Sequence, residues 1–302
     1  MKGIVFKSTG SWYTVRLENG EVVEARIKGK FRLKEIKSTN PIAVGDYVTL
    51  GNEEGSYVIE EIAPRQNYII RKSNNLSKQT HILASNITQA LLVVTTTSPL
   101  TSSGFIDRFL VAAGSFHIPV ILAFNKYDIL SEEEKQVQQE RIDLYANIGY
   151  TCIEICAVNG YHLAELKELL LNKTTLIAGH SGTGKSTLLN ALNPEVSKQR
   201  TGKISGFSNK GIHTTTFAEM FELFFDSFII DTPGIKDFGV VHLEPKEIKE
   251  YMVEFLPFAP QCRFNDCNHI NEPQCAVQQA VNDGKISGER YYSYLSMFHN
   301  PV

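Results

Sequence analysis

The sequence predicts a multidomain chain: a small N-terminal β-barrel, a central α/β unit, and a C-terminal region that is mostly helical. Three observations predict it. Apolar residues alternate at period two up to about residue 64, apolar runs alternate with helical stretches from about residue 84, and three cysteines with a histidine crowd residues 262–275. At 302 residues the chain can hold about two or three domains, and 42% hydrophobic with 21% charged residues indicates folded rather than disordered structure. A net charge of -3 excludes a uniformly basic nucleic-acid coat, so any such contact must be local. Met1–Lys7 holds no long apolar run, and no later stretch reaches the roughly 18 uncharged apolar residues of a membrane span. A cytoplasmic protein without a membrane partner is expected.

The barrel elements come first. Trp12–Leu17, a Glu18-Asn19-Gly20 turn, Val22–Ile27, Val44–Leu50 and Ser56–Ile62 read as short antiparallel strands, closed by Ala63-Pro64-Arg65. Arg26, Lys28, Lys30, Arg32 and Lys34 recur every second residue and would share one face of an extended segment, with Phe31 among them. That stripe suits a nucleic-acid backbone through counterion release and stacking, or is a solvated strand face.

In the central unit, Ala90–Thr95, Pro119–Phe124, Thr151–Ile155 and Thr174–Ala178 are buried-strand runs. Ser131 to Ile148 reads as a helix opened by a capping box of Ser131 and Glu134.

Motifs sit where these strands end, in a rotated order. Asn125-Lys126-Tyr127-Asp128 comes first; a carboxylate at Asp128 can accept from the N1–H and 2-amino group of guanine, which adenine cannot match. Cys156-Ala157 follows the next strand and can offer a backbone N–H to guanine O6. Gly179-His180-Ser181-Gly182-Thr183-Gly184-Lys185-Ser186 then follows a strand and opens a helix over Lys185–Leu192, so backbone N–H groups would cradle phosphates. Lys185 would supply a point charge, Ser186 would hold Mg²⁺, and Thr187 beside it would join the nucleotide-binding set. Asp231-Thr232-Pro233-Gly234 ends the strand Ser227–Ile230, placing Asp231 near Mg²⁺ and the Gly234 N–H near a γ-phosphate. The cofactor expected is Mg²⁺ with GTP.

Between the phosphate loop and Asp231 lies Gly211-Ile212-His213-Thr214-Thr215-Thr216, a switch-like segment in which Thr214 or Thr215 completes Mg²⁺ coordination. Ile235 follows Gly234 where a water-orienting glutamine would stand, so intrinsic turnover should be slow. His213 either substitutes for it or merely packs in its loop.

Cys262, Cys267, His269 and Cys275 could saturate one tetrahedral Zn²⁺ with no open position, a structural site. Cys152 and Cys156 flank a strand and read as core thiols. An aromatic stretch at Tyr291, Tyr292 and Tyr294 accompanies the cluster.

Motif order, N-terminal barrel and C-terminal Cys/His site together resemble the RsgA (YjeQ/YloQ) circularly permuted GTPases. The resemblance covers essentially the whole chain, including Pro64-Arg65, His213-Thr214-Thr215-Thr216 and Glu272-Pro273-Gln274-Cys275-Ala276-Val277. It departs at Ile212, where an arginine is expected, and at Asn86-Ile87-Thr88, which lacks an acidic ending. The resemblance implies three domains: an OB-fold over residues 1–64 that binds 16S rRNA, a circularly permuted P-loop GTPase domain over 65–239, and a zinc-binding helical domain over 240–302 that docks on the small ribosomal subunit. It implies a monomer whose hydrolysis of GTP to GDP and phosphate is stimulated by that subunit in late 30S maturation, with His213 beside the switch threonines. The alternative is a zinc-stapled RNA-binding adaptor whose bound GTP stays catalytically idle.

Overall fold

The computed structural model describes all residues except 10, 28–40, 54, 73–79, 197–217, 233–242 and 301–302. Alternation builds the N-terminal barrel: β1 (Lys2–Ser8), β2 (Trp12–Leu17), β3 (Val22–Ile27), β4 (Tyr47–Glu53) and β5 (Ser56–Ile62). Val5, Tyr13, Val15, Val23, Ala25, Leu50 and Ile59 point inward and are buried, while Trp12 and Tyr47 face out. The β1–β4 pairing closes the barrel. One pair, β3–β5, is parallel, so the barrel is not antiparallel throughout.

The strand expected from Val44 starts only at Tyr47. Gly45 turns the chain with φ +91° beneath the Ser85 carbonyl, where no Cβ would fit. Asp46, fully buried, then accepts from Ala43 N–H (2.8 Å), Ser85 Oγ–H (2.6 Å) and the Arg65 guanidinium (2.6 and 2.7 Å). That hub ties the barrel to the hairpin of β6 (Tyr68–Lys72) and β7 (Thr80–Ser85).

The central sheet takes β8 (Gln89–Val94), β9 (Val120–Phe124), β10 (Thr151–Glu154), β11 (Thr174–Ala178), β12 (Glu219–Phe224) and β13 (Ser227–Asp231) in the order β10-β9-β8-β11-β13-β12. All neighbours are parallel except β12, which forms a hairpin with β13. Helices α1 (Ser103–Ser115), α2 (Glu132–Asn147), α3 (Leu163–Leu170) and α4 (Lys185–Leu192) connect the strands. Ala90–Val94 of β8 and Val120–Phe124 of β9 are apolar without a break because both faces of the sheet carry buried clusters. The predicted capping box forms: Ser131 Oγ accepts from Glu134 N–H (3.2 Å) and Glu134 accepts from Ser131 N–H (2.9 Å). Strand β12 also pairs with β1 at Lys7 and Glu219, joining barrel and sheet.

The C-terminal region runs through 3-10 turns at Pro245–Tyr251, Val253–Phe255 and Ala259–Gln261 into α5 (Ala276–Asn282) and α6 (Gly288–His299). Helix α6 lies on α1, and Arg290 enters the seam to bond Asp107 of α1 and Glu254. No helix among the described residues is long and apolar enough to cross a membrane.

Candidate functional site

Parallel strands bring their C-terminal ends to one edge of the sheet, which is where open α/β sheets bind ligands. Register fixes the neighbours there. Phe124 of β9 pairs with Val94 of β8 and Glu154 of β10, while β11 pairs Ala178 with Leu92 on one side and Ile177 with Asp231 on the other. The segments that follow, Asn125–Asp128, Cys156–Ala157, the phosphate loop and Asp231, are therefore side by side although the chain visits them in shuffled order.

The phosphate loop enters α4 through Gly184, whose φ is +94° and whose Cβ would strike Asn125 Nδ2. No side chain caps the first turn of α4, so its N–H groups are directed at the loop's concavity. Lys185 Nζ folds over the loop and donates to the carbonyls of Gly179 and His180, both at 2.7 Å. Ser181, Gly182, Ser186 and Thr187 are exposed, whereas Thr183 is buried and its hydroxyl donates to His180 O (3.0 Å). This cradle of small residues, helix N–H groups and one lysine fits a phosphate chain. The Asp231 carboxylate and the exposed Ser186 hydroxyl are oxygen donors of the kind Mg²⁺ takes.

Asn125 joins the base-side loops to this cradle. Buried at the end of β9, it donates through Nδ2 to Thr183 O (2.8 Å) and accepts at Oδ1 from Ala157 N–H (3.1 Å). Lys126 adopts φ +71° and its Nζ donates to Ser98 O (2.5 Å). Tyr127 begins a 3-10 turn to Ile129 that leaves Asp128 exposed, its Oδ1 accepting from the Cys156 thiol (3.0 Å). Cys156 is thus a polar partner of Asp128. Cys152 is a half-buried thiol pushed up to about 12 by burial, which leaves it inert.

His213, Thr214, Thr215 and Gly234 lie outside the described residues, as do Lys28, Lys30, Phe31, Arg32 and Lys34 of the basic stripe. Two contacts were not legible in the motifs. The His180 ring lies tilted against Phe105 of α1, with centroids 3.9 Å apart and planes at 32°, and Pro99 lies against Gly182. Both partners come from the loop and helix after β8, which carry no motif of their own.

Cys262, Cys267, His269 and Cys275 form a second site, with ligand atoms all within 4.8 Å of one another. Cys262 Sγ lies 3.9 Å from Cys275 Sγ and 3.5 Å from His269 Nδ1, which is 3.3 Å from Cys275 Sγ. Tetrahedral zinc with bonds of about 2.3 Å to sulfur and 2.0 Å to nitrogen puts its ligands about 3.8 and 3.5 Å apart, so the cluster is compatible with zinc. Glu272 braces the loop between the ligands. Burial pushes its carboxyl up, but the N–H groups of Asn268, Ile270 and Asn271 outweigh that and hold it at about 2. Tyr291 OH donates to His269 O (2.6 Å) and Tyr294 OH to Asn268 O (2.5 Å).

The pattern of the RsgA GTPase family matches residues 62–241, and that of the RsgA N-terminal domain matches residues 2–57. The chain belongs to the RsgA GTPase family. The "Small ribosomal subunit biogenesis GTPase RsgA" of Bacteroides fragilis strain YCH46 is 51% identical over 301 residues, 99% of this chain and 97% of that protein. The crystal structure of YjeQ from Thermotoga maritima is similar with a TM-score of 0.80 at 36% identity, covering 99% of this chain and 97% of that one. The structure of YloQ, described as a circularly permuted GTPase, is similar with a TM-score of 0.76 at 28% identity, covering 99% and 93%. As an RsgA-family GTPase the chain is a GTP hydrolase, and its rotated motif order is a circular permutation.

Proposed function

We propose that this chain hydrolyses GTP to GDP and phosphate on the small ribosomal subunit, stimulated by that subunit in late 30S maturation, as a monomer in the cytoplasm. In this reading residues 1–64 are the OB-fold that binds 16S rRNA, 65–239 the GTPase unit, and 240–302 a helical unit stapled by one structural Zn²⁺ on Cys262, Cys267, His269 and Cys275. The observation that carries it is Asn125, whose Nδ2 donates to Thr183 O of the phosphate loop while its Oδ1 faces the Cys156–Ala157 loop, which supports base and phosphate sites side by side.

Each residue then has a task. Asp128 accepts from the guanine N1–H and 2-amino group, and the Ala157 N–H meets O6 beside Cys156, with Lys126 and Tyr127 shaping the pocket. The N–H groups of Gly179–Thr187 and the Lys185 ammonium neutralise the phosphates. Ser186 and either Thr214 or Thr215 ligate Mg²⁺ near Asp231, and the Gly234 N–H meets the γ-phosphate. His213 orients the attacking water in place of the absent glutamine.

The test is GTP turnover by the full chain alone, with small subunits, and with large subunits. Slow free turnover that rises strongly with small subunits only, and is lost in Lys185→Ala, is expected. Turnover indifferent to small subunits removes the ribosomal part, and no turnover under any condition supports the idle adaptor.

A further inference from the structure

The groups that read guanine in the proposed function sit on two loops that leave adjacent strands and are joined by few contacts. Inside the pocket, Ala157 N–H donates to Asn125 Oδ1 (3.1 Å) and the Cys156 thiol donates to Asp128 Oδ1 (3.0 Å). A bound guanine competes for both links, because its O6 needs the Ala157 N–H and its N1–H and 2-amino group need the Asp128 carboxylate. The long backbone contact from Tyr127 N–H to Ile155 O (3.4 Å) is a weak substitute.

On the outside the two loops meet through rings. Tyr127 and Tyr161 stack with centroids 5.0 Å apart and planes at 15°, and Tyr161 stacks in turn on His162 at 3.8 Å and 29°. Lys135 Nζ stands 5.2 Å from the Tyr127 ring centre on its way from α2, which extends the column to four side chains. Tyr161 is held at its base as well: Cys156 N–H donates to Tyr161 O (3.1 Å), and Tyr161 N–H donates to Asn159 Oδ1 (3.0 Å). His162 is anchored to β10 by Nδ1 and Glu154 O at 3.0 Å. No hydrogen bond of this column uses the Asp128 carboxylate or the Ala157 N–H.

We propose that Tyr161 is a positioning residue for guanine: its ring, stacked between Tyr127 and His162, holds the Cys156–Ala157 loop at the separation from Asp128 at which one base meets both. The proposal rests on Asp128 and Ala157 reading the base. It assigns Tyr161, more than a third of whose surface is exposed, a task in nucleotide affinity rather than in the core. An offset aromatic pair of this geometry changes an equilibrium by roughly two- to twelvefold.

The experiment compares wild type, Tyr161→Ala, Tyr161→Phe and Asp128→Ala in the full chain, using GDP titration, steady-state GTP turnover, and melting without nucleotide. Tyr161→Ala is expected to weaken GDP and raise KM by roughly two- to twelvefold at unchanged kcat and melting temperature, with Tyr161→Phe restoring wild-type values. Asp128→Ala is expected to lose guanine binding far more severely. Unchanged GDP affinity in Tyr161→Ala overturns the positioning role while leaving base reading intact if Asp128→Ala still fails. A melting loss that accounts for the affinity loss, or failure of Tyr161→Phe to rescue, overturns it in favour of a structural ring. Wild-type GDP affinity in Asp128→Ala overturns the base reading itself and the proposal with it.

Discussion

Arg290 is the cation of a buried cluster that pins the C-terminal region to the GTPase sheet, and replacing it tests what holds the two together. Its guanidinium lies 2.6 Å from Asp107 Oδ1 on α1 and 2.6 and 3.0 Å from the two oxygens of Glu254, with none of the three side chains more than 5% exposed. Tyr145 adds a hydroxyl donated to the same Asp107 oxygen at 2.9 Å. One guanidinium thus serves two carboxylates. Burial pushes the Asp107 carboxyl above its ordinary value of 3.8, although Arg290 pulls it back. Arg290→Met keeps most of the apolar bulk but strands two acids out of water, and breaking a buried pair from one side costs about 3–5 kcal/mol. Asp107→Asn removes a charge that burial already opposes and leaves polar atoms facing Arg290 and Tyr145, so it should cost about 1 kcal/mol or less.

The pH dependence has a definite sign. A carboxyl whose folded pKa is raised contributes stability that is complete below its unfolded value and is lost as pH rises through the folded one. Without Arg290 the folded value of Asp107 climbs further above 3.8, so the deficit of Arg290→Met against wild type should widen between about pH 4 and about pH 8. Urea denaturation at both pH values measures it. Equal losses from the two substitutions, or an Arg290→Met deficit that is flat or shrinks with pH, would refute the reasoning.

Asp128→Asn should weaken GDP roughly 100-fold or more, because the amide cannot accept two charge-assisted bonds, and should instead admit xanthine nucleotides, whose C2 carbonyl accepts from its NH₂; paired GDP and XDP titrations check this. Gly184→Ala should abolish GDP binding and cost about 1–3 kcal/mol by melting, since it puts a Cβ at φ +94° against the Asn125 amide; wild-type behaviour would contradict the packing described. Glu272→Ala frees the N–H groups of Asn268, Ile270 and Asn271, so zinc affinity measured by competition with a chromophoric chelator should fall roughly 10- to 100-fold.

What could be read in the sequence is what local backbone chemistry dictates. A phosphate cradle needs glycines, a lysine and a helix start in consecutive positions, and a capping box needs Ser131 and Glu134 three apart, so both are legible without a partner segment. Strands with one solvated face, such as β2 and β3, were equally plain and match residue for residue. Strands β1 and β12 were not, because each is covered on both sides: Val5 faces the barrel interior while Phe6 turns outward to pack edge-on against Phe228, at 5.8 Å, so the alternation that marks a strand is blurred. The tyrosines of α6 show the intermediate case. Their crowding near the Cys/His cluster was visible, but only helical spacing in the fold separates Tyr291 and Tyr294, which brace the zinc-ligand loop, from Tyr292, which is 73% exposed. Least legible are ties between regions: Arg290 and Asp107 are 183 residues apart, and nothing near either residue requires the other. Circular permutation sharpens that division. It leaves every strand-end motif intact, since each depends only on its own strand and turn, while it changes which chain segment leads out of the nucleotide site. Among the described residues the ties between regions are side-chain contacts: His180 of the phosphate loop lies against Phe105 of α1, Asp107 of α1 bonds Arg290 of α6, and Tyr291 of α6 bonds the zinc-ligand loop, and none of these is written in a contiguous motif.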